Sequence, residues 1–117
     1  MSYIIKKRKK DTAWRKFTLK NLAGEVILYD KVVTSFSLAQ GLTKLLAKLI
    51  TYAKQDTLHS RRLALRYLVN RKHLGILDIL FGNLKSRYQK RQGGYSRITK
   101  ICHRRGDNNL RVEVALV

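Results

Sequence analysis

An apolar stripe in the middle of the chain sets the strongest limit on what the chain can fold into. Its members recur at steps of three and four, which places them on one face of a helix: Leu38, Leu42, Leu45, Leu46, Leu49, Ile50 and Ala53. The opposite face is polar: Lys44, Lys48, Thr51 and Lys54. Ser35 or Ser37 is the expected N-cap. In a chain of 117 residues, we expect this stripe to be the core of the monomer rather than the seam of a dimer.

Weaker apolar patterns on both sides of this helix predict further helices. Asp11 or Thr12 can cap a first helix, whose candidate core residues are Trp14, Phe17, Leu22 and Val26. Asp56 or Thr57 can cap a helix that runs to about Asn70, with three leucines facing inward: Leu58, Leu65 and Leu68. A last helix passes through Leu77, Leu80, Phe81, Leu84 and Tyr88, with Gly82 as a tolerated weakness.

The strand patterns are short, and they lie between the first two helices and near the C-terminus. The segment "KVVTS" (31 to 35) predicts one strand. Near the C-terminus the apolar period becomes two, with Val112, Val114 and Leu116 on one face. Residues 105 to 109 supply turn residues for a hairpin that joins this strand to one near 98 to 104. We therefore predict an α+β fold with helices on one face of a small mixed sheet, in a single domain over residues 11 to 117.

The charge balance points to a polyanionic partner. Twenty-six Lys and Arg face seven acidic residues, a formal net charge of +19. Such an excess repels itself, and a polyanion relieves the repulsion by releasing its condensed counterions. Five consecutive basic residues form an N-terminal arm within residues 1 to 10 that we expect to order only on binding: Lys6, Lys7, Arg8, Lys9 and Lys10. Nucleic acid is the polyanion that fits best.

Other classes of protein have little support in the sequence. No apolar run is long enough to span a bilayer, and the N-terminus lacks the apolar segment of a secretory signal. The only cysteine, Cys102, excludes an internal disulfide and fits a cytoplasmic protein. The histidines are too scattered for a metal site, and no paired carboxylates or nucleophile set indicate an enzyme. We therefore expect no catalysis, no cofactor, no metal and no small-molecule substrate.

A glycine pair, Gly93 and Gly94, lies in the most basic part of the chain. Between Ile79 and Gly106 there are eight basic residues and no acidic one. Glycines let backbone N–H groups approach a phosphate without a Cβ in the way, and Arg97 can pair with it in a bidentate manner. Tyr95 could stack on an unpaired base. The alternative is that the glycines cap the last helix and Tyr95 packs on the core.

Four segments in register resemble one known family. They are "KNLAGEVI" (20 to 27), "LITYAKQDTLHSRRLA" (49 to 64), "GGYSRI" (93 to 98) and "RRGDNN" (104 to 109), the last followed by the strand "VEVALV". Together they resemble the bacterial large-ribosomal-subunit protein L-seventeen family. The resemblance implies a structural protein of the large ribosomal subunit in the cytoplasm, without activity or cofactor. It also implies binding to large-subunit rRNA near the peptide exit tunnel, beside neighbouring ribosomal proteins, with one copy per ribosome.

The resemblance also implies which residues contact rRNA. The matching positions are Trp14, Arg15, Lys20, Asn21, Arg61, Arg62, Gly93, Gly94, Tyr95, Arg97 and Asn108. Gly106 and Asp107 match the family's loop motif but are not among the predicted contacts. Asp107 is more simply a turn residue. The basic arm and the neighbours of these positions complete the predicted rRNA-binding set: Lys16, Arg66, Ser96, Lys100, Arg104 and Arg105.

The positive charge is also compatible with two other roles, DNA binding and binding to a membrane surface. A DNA-binding or nucleoid-associated protein would place one helix in the major groove, yet the basic residues here are dispersed over an arm, two helices and two loops. A membrane-surface role would need an apolar face to insert, but the core needs the apolar stripe. Dispersed charge favours a folded RNA that covers several faces of the protein.

Overall fold

The computed structural model describes residues 12–68 and 75–117. The chain forms α1 (Thr12–Tyr29), β1 (Lys31–Ser35), α2 (Phe36–Gln55) and α3 (Leu58–Leu65). It continues with α4 (Ile76–Ile79), a π-helical turn (Leu80–Leu84), α5 (Lys85–Arg87), β2 (Ser96–His103) and β3 (Leu110–Leu116). The predicted α+β class is confirmed. The basic arm lies outside the described residues, and the predicted single domain from residue 11 stays a prediction.

The three strands form one sheet in the order β1-β3-β2. Both strand pairs are antiparallel, so the predicted mixed sheet is wrong. The hairpin makes β2 and β3 antiparallel neighbours. The other edge of β3 pairs with β1, and this pair is antiparallel as well. Val114 lies between Val32 and Ile98 in the register. A β-bulge interrupts the pairing of β2 with β3 between Lys100 and Cys102.

Helix α2 carries the largest part of the core. The predicted stripe is buried, with Leu42, Leu45, Leu46, Leu49 and Ile50 at most 1% exposed. The inner face of β3 meets it with Val112, Val114 and Leu116, which are also buried as predicted. Ser35 is the N-cap residue of α2, although its side chain makes no capping hydrogen bond. Burying side chains of this size contributes about 1.5–3 kcal/mol each, so this layer holds the sheet and the helices together.

Two predicted core faces are wrong. In α1, Val26 is buried and Leu22 packs against the core, but Trp14 is 45% exposed and Phe17 is 57% exposed. The buried face of α1 instead consists of Leu19, Ala23, Val26 and Ile27. That stripe begins at Leu19, two residues or about half a turn after Phe17, and so points to another side of the helix. The first turns of α1 thus contribute no buried side chain.

The inward face of α3 also differs from the prediction. Leu58 and Leu65 are 65% and 49% exposed, whereas Leu68 is buried as predicted, in the turn that follows the helix. The buried residues of α3 itself are Ser60 and Ala64, which lie four residues apart on one face. The helix ends at Leu65 rather than near Asn70, because Tyr67 N–H bonds to the Ala64 carbonyl in a tighter turn.

The last helical segment lies where it was predicted, but it is not a continuous α-helix. Leu80, Phe81, Leu84 and Tyr88 are buried, and Leu77 packs against the core. Its middle turn is π-helical, from Leu80 to Leu84, and its last α-helical residue is Arg87. Tyr88 then donates a hydrogen bond from its hydroxyl to the Val117 carbonyl at 2.9 Å, which joins this segment to the end of the sheet.

Candidate nucleic-acid interface

The few carboxylates of the described chain tie its elements together. Asp56 accepts from Lys85 at 2.7 Å and from Arg61 at 3.1 Å, which links the start of α3 to α5. These two bases, Lys85 first, lower the pKa of the Asp56 carboxyl. Asp30 accepts from Arg87 at 2.8 Å and joins the α1–β1 turn to α5. The carboxylates engaged in this way leave most of the basic side chains without an ionic partner among the described residues.

The first basic surface lies on the first turns of α1, and we call it the α1 surface. It contains Trp14, Arg15, Lys16, Lys20 and Asn21, all predicted to contact rRNA. Trp14 and Lys16 are exposed, and the other three are half-buried. Arg15 donates to the Thr12 hydroxyl at 3.1 Å. The structure therefore brings these five residues together within three turns of one helix.

The second basic surface is the outer side of α3, the α3 surface, with Arg61, Arg62 and Arg66. Thr57 starts the helix through a reciprocal capping box with Ser60, which confirms one of the two predicted caps. All three arginines are exposed, but Arg61 is held by Asp56 and lies 5.0 Å from the centre of the Phe81 ring. Arg62 and Arg66 have no ion pair with a described residue, and the exposed Leu58 and Leu65 lie on the same helix.

The third basic surface is the glycine loop, residues 90–94. The two glycines do not cap the last helix, because Arg87 ends that helix and both glycines lie in the approach to β2. Gly94 has φ +61°, a left-handed conformation that favours glycine, whereas Gly93 has no such constraint and a Cβ there would meet nothing within 4 Å. Arg91 Nε donates to the Gly93 carbonyl at 3.1 Å. Lys54 Nζ donates to the Arg91 carbonyl and holds the loop against the end of α2.

Tyr95 belongs to the core and not to this surface. It is 7% exposed and packs edge-on against Tyr88, with 5.2 Å between the ring centres. Its hydroxyl donates to the Arg91 carbonyl at 3.2 Å. Both faces of the ring are thus within the fold, so the predicted stacking of Tyr95 on a base is wrong and the packing alternative holds.

The fourth basic surface is the β2–β3 hairpin, which we call the hairpin surface. Every residue from Thr99 to Asn108 is exposed, so this end of the hairpin extends away from the core. It carries five of the predicted contacts: Arg97, Lys100, Arg104, Arg105 and Asn108. Arg97 stands on the open face of the sheet, opposite Ala115, whereas Lys100 stands on the helix side with Nζ 5.7 Å from the Phe36 ring centre. Ser96, the other predicted contact in β2, is half-buried opposite Leu116.

The tip of the hairpin is organised around Asp107. Its carboxylate accepts from the Arg104 guanidinium through both oxygens and from the Asn109 N–H at 3.1 Å. Gly106 and Asn108 have φ +100° and +56°, which is the reason for the turn residues at these positions. Asp107 is thus a turn residue, and it occupies Arg104. Arg105 beside it makes no ion pair with a described residue.

The glycine loop and the hairpin surface do not merge into one patch. The glycine loop precedes β2 and the hairpin tip follows it, and eight strand residues separate the two by about 25 Å. The glycine loop lies against Lys54 at the end of α2, whereas Lys100 of the hairpin lies against Phe36 at its beginning. A single recognition helix, as the DNA-binding alternative requires, does not account for this distribution.

Other kinds of site are not indicated. Among the described residues no cluster of three or more His, Cys, Asp or Glu could hold a metal ion. Within residues 12–68 and 75–117, no helix is long and apolar enough to cross a bilayer. Cys102 is a free, exposed thiol on β2.

Comparison with known proteins assigns the family. The sequence profile described as "Ribosomal protein L17" matches residues 18–117. The chain belongs to the ribosomal protein L17 family. The match covers α1 from Thr18 onwards and every later element, which confirms the resemblance predicted from the four segments. The L17 family consists of structural, non-enzymatic proteins, so the chain is a structural protein and not an enzyme.

Several curated relatives in the L17 family carry the name large ribosomal subunit protein bL17. The one from Mesoplasma florum is 39% identical over 120 aligned positions that cover both chains completely. The one from Mycoplasma genitalium is 40% identical over 111 positions, covering 92% of this chain and 89% of its own. The one from Wolbachia pipientis wMel is 46% identical over 110 positions, covering 92% of this chain and 76% of its own.

Sequence reasoning missed some residues of these surfaces. The sequence prediction places Phe17 in the core, and its rRNA contacts do not include Lys90 and Arg91 of the glycine loop. A signal for Phe17 is present in the sequence: Leu19, Ala23, Val26 and Ile27 already supply an apolar stripe on another side of the same helix.

The ion pair at the hairpin tip should be visible in the pKa of the Asp107 carboxyl. The guanidinium of Arg104, with the Asn109 N–H second, lowers the pKa of Asp107 from 3.8 to about 2. Because the folded pKa lies below the unfolded one, the stabilisation is complete above about pH 4 and is lost as the pH falls towards 2. NMR titration of the Asp107 carboxyl carbon should give a pKa near 2 in the wild type and a clearly higher one in Arg104→Gln. A wild-type pKa near 3.8 would contradict the pairing.

Proposed function

We propose that the protein is a structural constituent of the large ribosomal subunit that binds and stabilises folded large-subunit rRNA. The observation that carries the proposal is that exposed basic side chains lie on four separate parts of one α+β body: α1, α3, the glycine loop and the β2–β3 hairpin. Membership of the L17 family and the names of its relatives support the assignment to the large subunit in the cytoplasm. In this proposal one copy binds per ribosome, next to rRNA and neighbouring ribosomal proteins.

The mechanism is electrostatic and geometric. Arg62, Arg66, Arg97 and Arg105 are exposed and make no ion pair with a described residue, so each can hold a phosphate with charge-assisted hydrogen bonds. The tyrosine and leucine core keeps the surfaces at fixed separations. Straight duplex DNA offers phosphates to one side of a protein of 28 Å width, whereas a folded RNA can present phosphates to several sides at once.

We also propose that the protein lies near the mouth of the peptide exit tunnel. The support is family membership, since no described residue bears on this position. Cross-linking from a ribosome-bound nascent chain that has just emerged from the tunnel tests it. Cross-links to this protein are expected, and their absence when other exit-site proteins are labelled would contradict the position.

Binding to rRNA should depend strongly on salt. Each neutralised phosphate contributes about 0.7–0.9 to the slope of log affinity against log salt concentration. If each of the four surfaces holds at least one phosphate, the slope for an rRNA domain should be steeper than about −3. Filter binding over a salt series measures it, with a duplex DNA of equal length as the comparison.

The proposal predicts tighter binding to the rRNA domain than to the duplex at every salt concentration. Equal affinity for the two would favour the DNA-binding alternative. A protein that fails to co-sediment with large subunits at low salt would contradict the ribosomal assignment itself.

The glycine loop can be tested without disturbing the fold, because its two glycines differ. Gly93 has room for a Cβ and no left-handed φ, so Gly93→Ala should change stability by less than about 1 kcal/mol. If the Gly93 N–H approaches a phosphate, the added methyl group should weaken rRNA binding severalfold. Urea denaturation and filter binding measure the two effects.

Gly82 provides the matched control for this variant. It is exposed, a Cβ there also meets nothing within 4 Å, and it lies in the π-helical turn rather than in the loop. Gly82→Ala should leave rRNA affinity unchanged. Wild-type affinity in Gly93→Ala would show that the loop makes no close backbone contact with phosphate. Gly94→Ala is unsuitable, because alanine at φ +61° costs roughly 1–2 kcal/mol by itself.

A further inference from the structure

Two large exposed aromatic side chains lie in the first two turns of α1. Trp14 is 45% exposed and Phe17 is 57% exposed, in a stretch whose first buried residue is Leu19. Thr12, Ala13 and Lys16 of the same stretch are exposed as well. This part of α1 therefore contributes no buried side chain to the body of the protein. Its aromatic rings are not needed for the core, since α1 buries another stripe.

The two rings share one face of the helix. Positions 14 and 17 are neighbours at i and i+3, and Asn21 continues the same face one turn later. Gly24 follows on this face, and it lies against the Ile76 side chain of α4. Along this face Trp14 and Phe17 are exposed, Asn21 is half-buried, and Gly24 is buried against α4.

Positive charge lines this aromatic face on both sides. A rotation of about 100° per residue puts Arg15 to one side of it and Lys16 and Lys20 to the other. No acidic residue occurs between Thr12 and Gly24. Exposed rings between flexible cations are the arrangement by which proteins hold single-stranded nucleic acid, with bases on the rings and phosphates on the cations. A protein partner with an apolar surface would gain little from the cations.

We propose that Trp14 and Phe17 form a stacking platform for unpaired RNA bases, and that Arg15, Lys16 and Lys20 hold the adjoining phosphates. The inference rests on the proposed rRNA binding and adds the class of RNA that the α1 surface takes: a loop, bulge or single-stranded junction with bases out of the helix. It assigns Phe17, which had no role at the surface, to base contact. The other three basic surfaces bind phosphates of paired or unpaired RNA alike.

The sole tryptophan of the chain reports on this site directly. A base stacked on the indole quenches its fluorescence, so the full-length protein can be titrated with an unstructured oligoribonucleotide of about 12 nucleotides and with a blunt RNA duplex. At matched phosphate concentration and salt, the single strand should quench Trp14 strongly and the duplex weakly. Equal quenching by the two RNAs would overturn the proposal.

Phe17→Leu separates stacking from charge. The variant keeps an apolar side chain, the helix propensity and every basic residue, and circular dichroism checks that α1 is retained. Because base stacking is worth about 1–3 kcal/mol per base, affinity for the single strand should fall about fivefold or more, and affinity for the duplex should not change. An unchanged affinity for the single strand, or an equal loss for both RNAs, would overturn the proposal.

Tyr29→Leu is the matched control at the other end of the same helix. Tyr29 is 69% exposed and lies beyond the α1 surface, so its replacement should leave both affinities unchanged. The test also distinguishes this inference from the proposed function. If the protein binds rRNA with a steep salt slope but Phe17→Leu has no effect, the proposed function stands and the stacking platform is contradicted. If the protein binds no RNA at all, both proposals are contradicted.

Discussion

Seven carboxylates against 26 basic side chains is the constraint from which the surface of this protein follows. Among the described residues, three carboxylates form ion pairs within the fold. Asp30 holds Arg87, Asp56 holds Arg61 and Lys85, and Asp107 holds Arg104 at the hairpin tip. Internal ion pairs therefore satisfy a small part of the positive charge. The remainder must be balanced by ions or by a polyanion, and the release of condensed ions favours the polyanion.

The core decides where that remaining charge lies. Helix α2 packs against the sheet on one side and against α1, α3 and the π-helical turn elsewhere. Tyr88 and Tyr95 fix the approach to β2, and Lys54 holds the glycine loop. As a result the hairpin surface and the glycine loop lie at opposite ends of β2, and the strand between them keeps them apart. A small body held in this way displays separate phosphate-binding surfaces, which is the form that suits a folded RNA.

The parts of the fold that the sequence predicted are those with a strong local signal. The period of α2, the β-branched run of β1 and the turn residues at the hairpin tip each specify one local structure. The errors concern apolar residues whose location depends on distant elements. Trp14, Phe17, Leu58 and Leu65 look like core residues, yet other stripes on α1 and α3 fill the available space. For the same reason Tyr95 is buried although its neighbours are basic. No pattern in the sequence predicts the π-helical turn.

Protein–RNA cross-linking in intact large subunits, read out by mass spectrometry, shows whether rRNA contacts all four basic surfaces of this protein at once. We expect cross-linked nucleotides on peptides from the α1 surface, the α3 surface, the glycine loop and the hairpin surface in the same preparation. Cross-links confined to one of these surfaces, with the others modified as freely as in the isolated protein, would contradict this expectation.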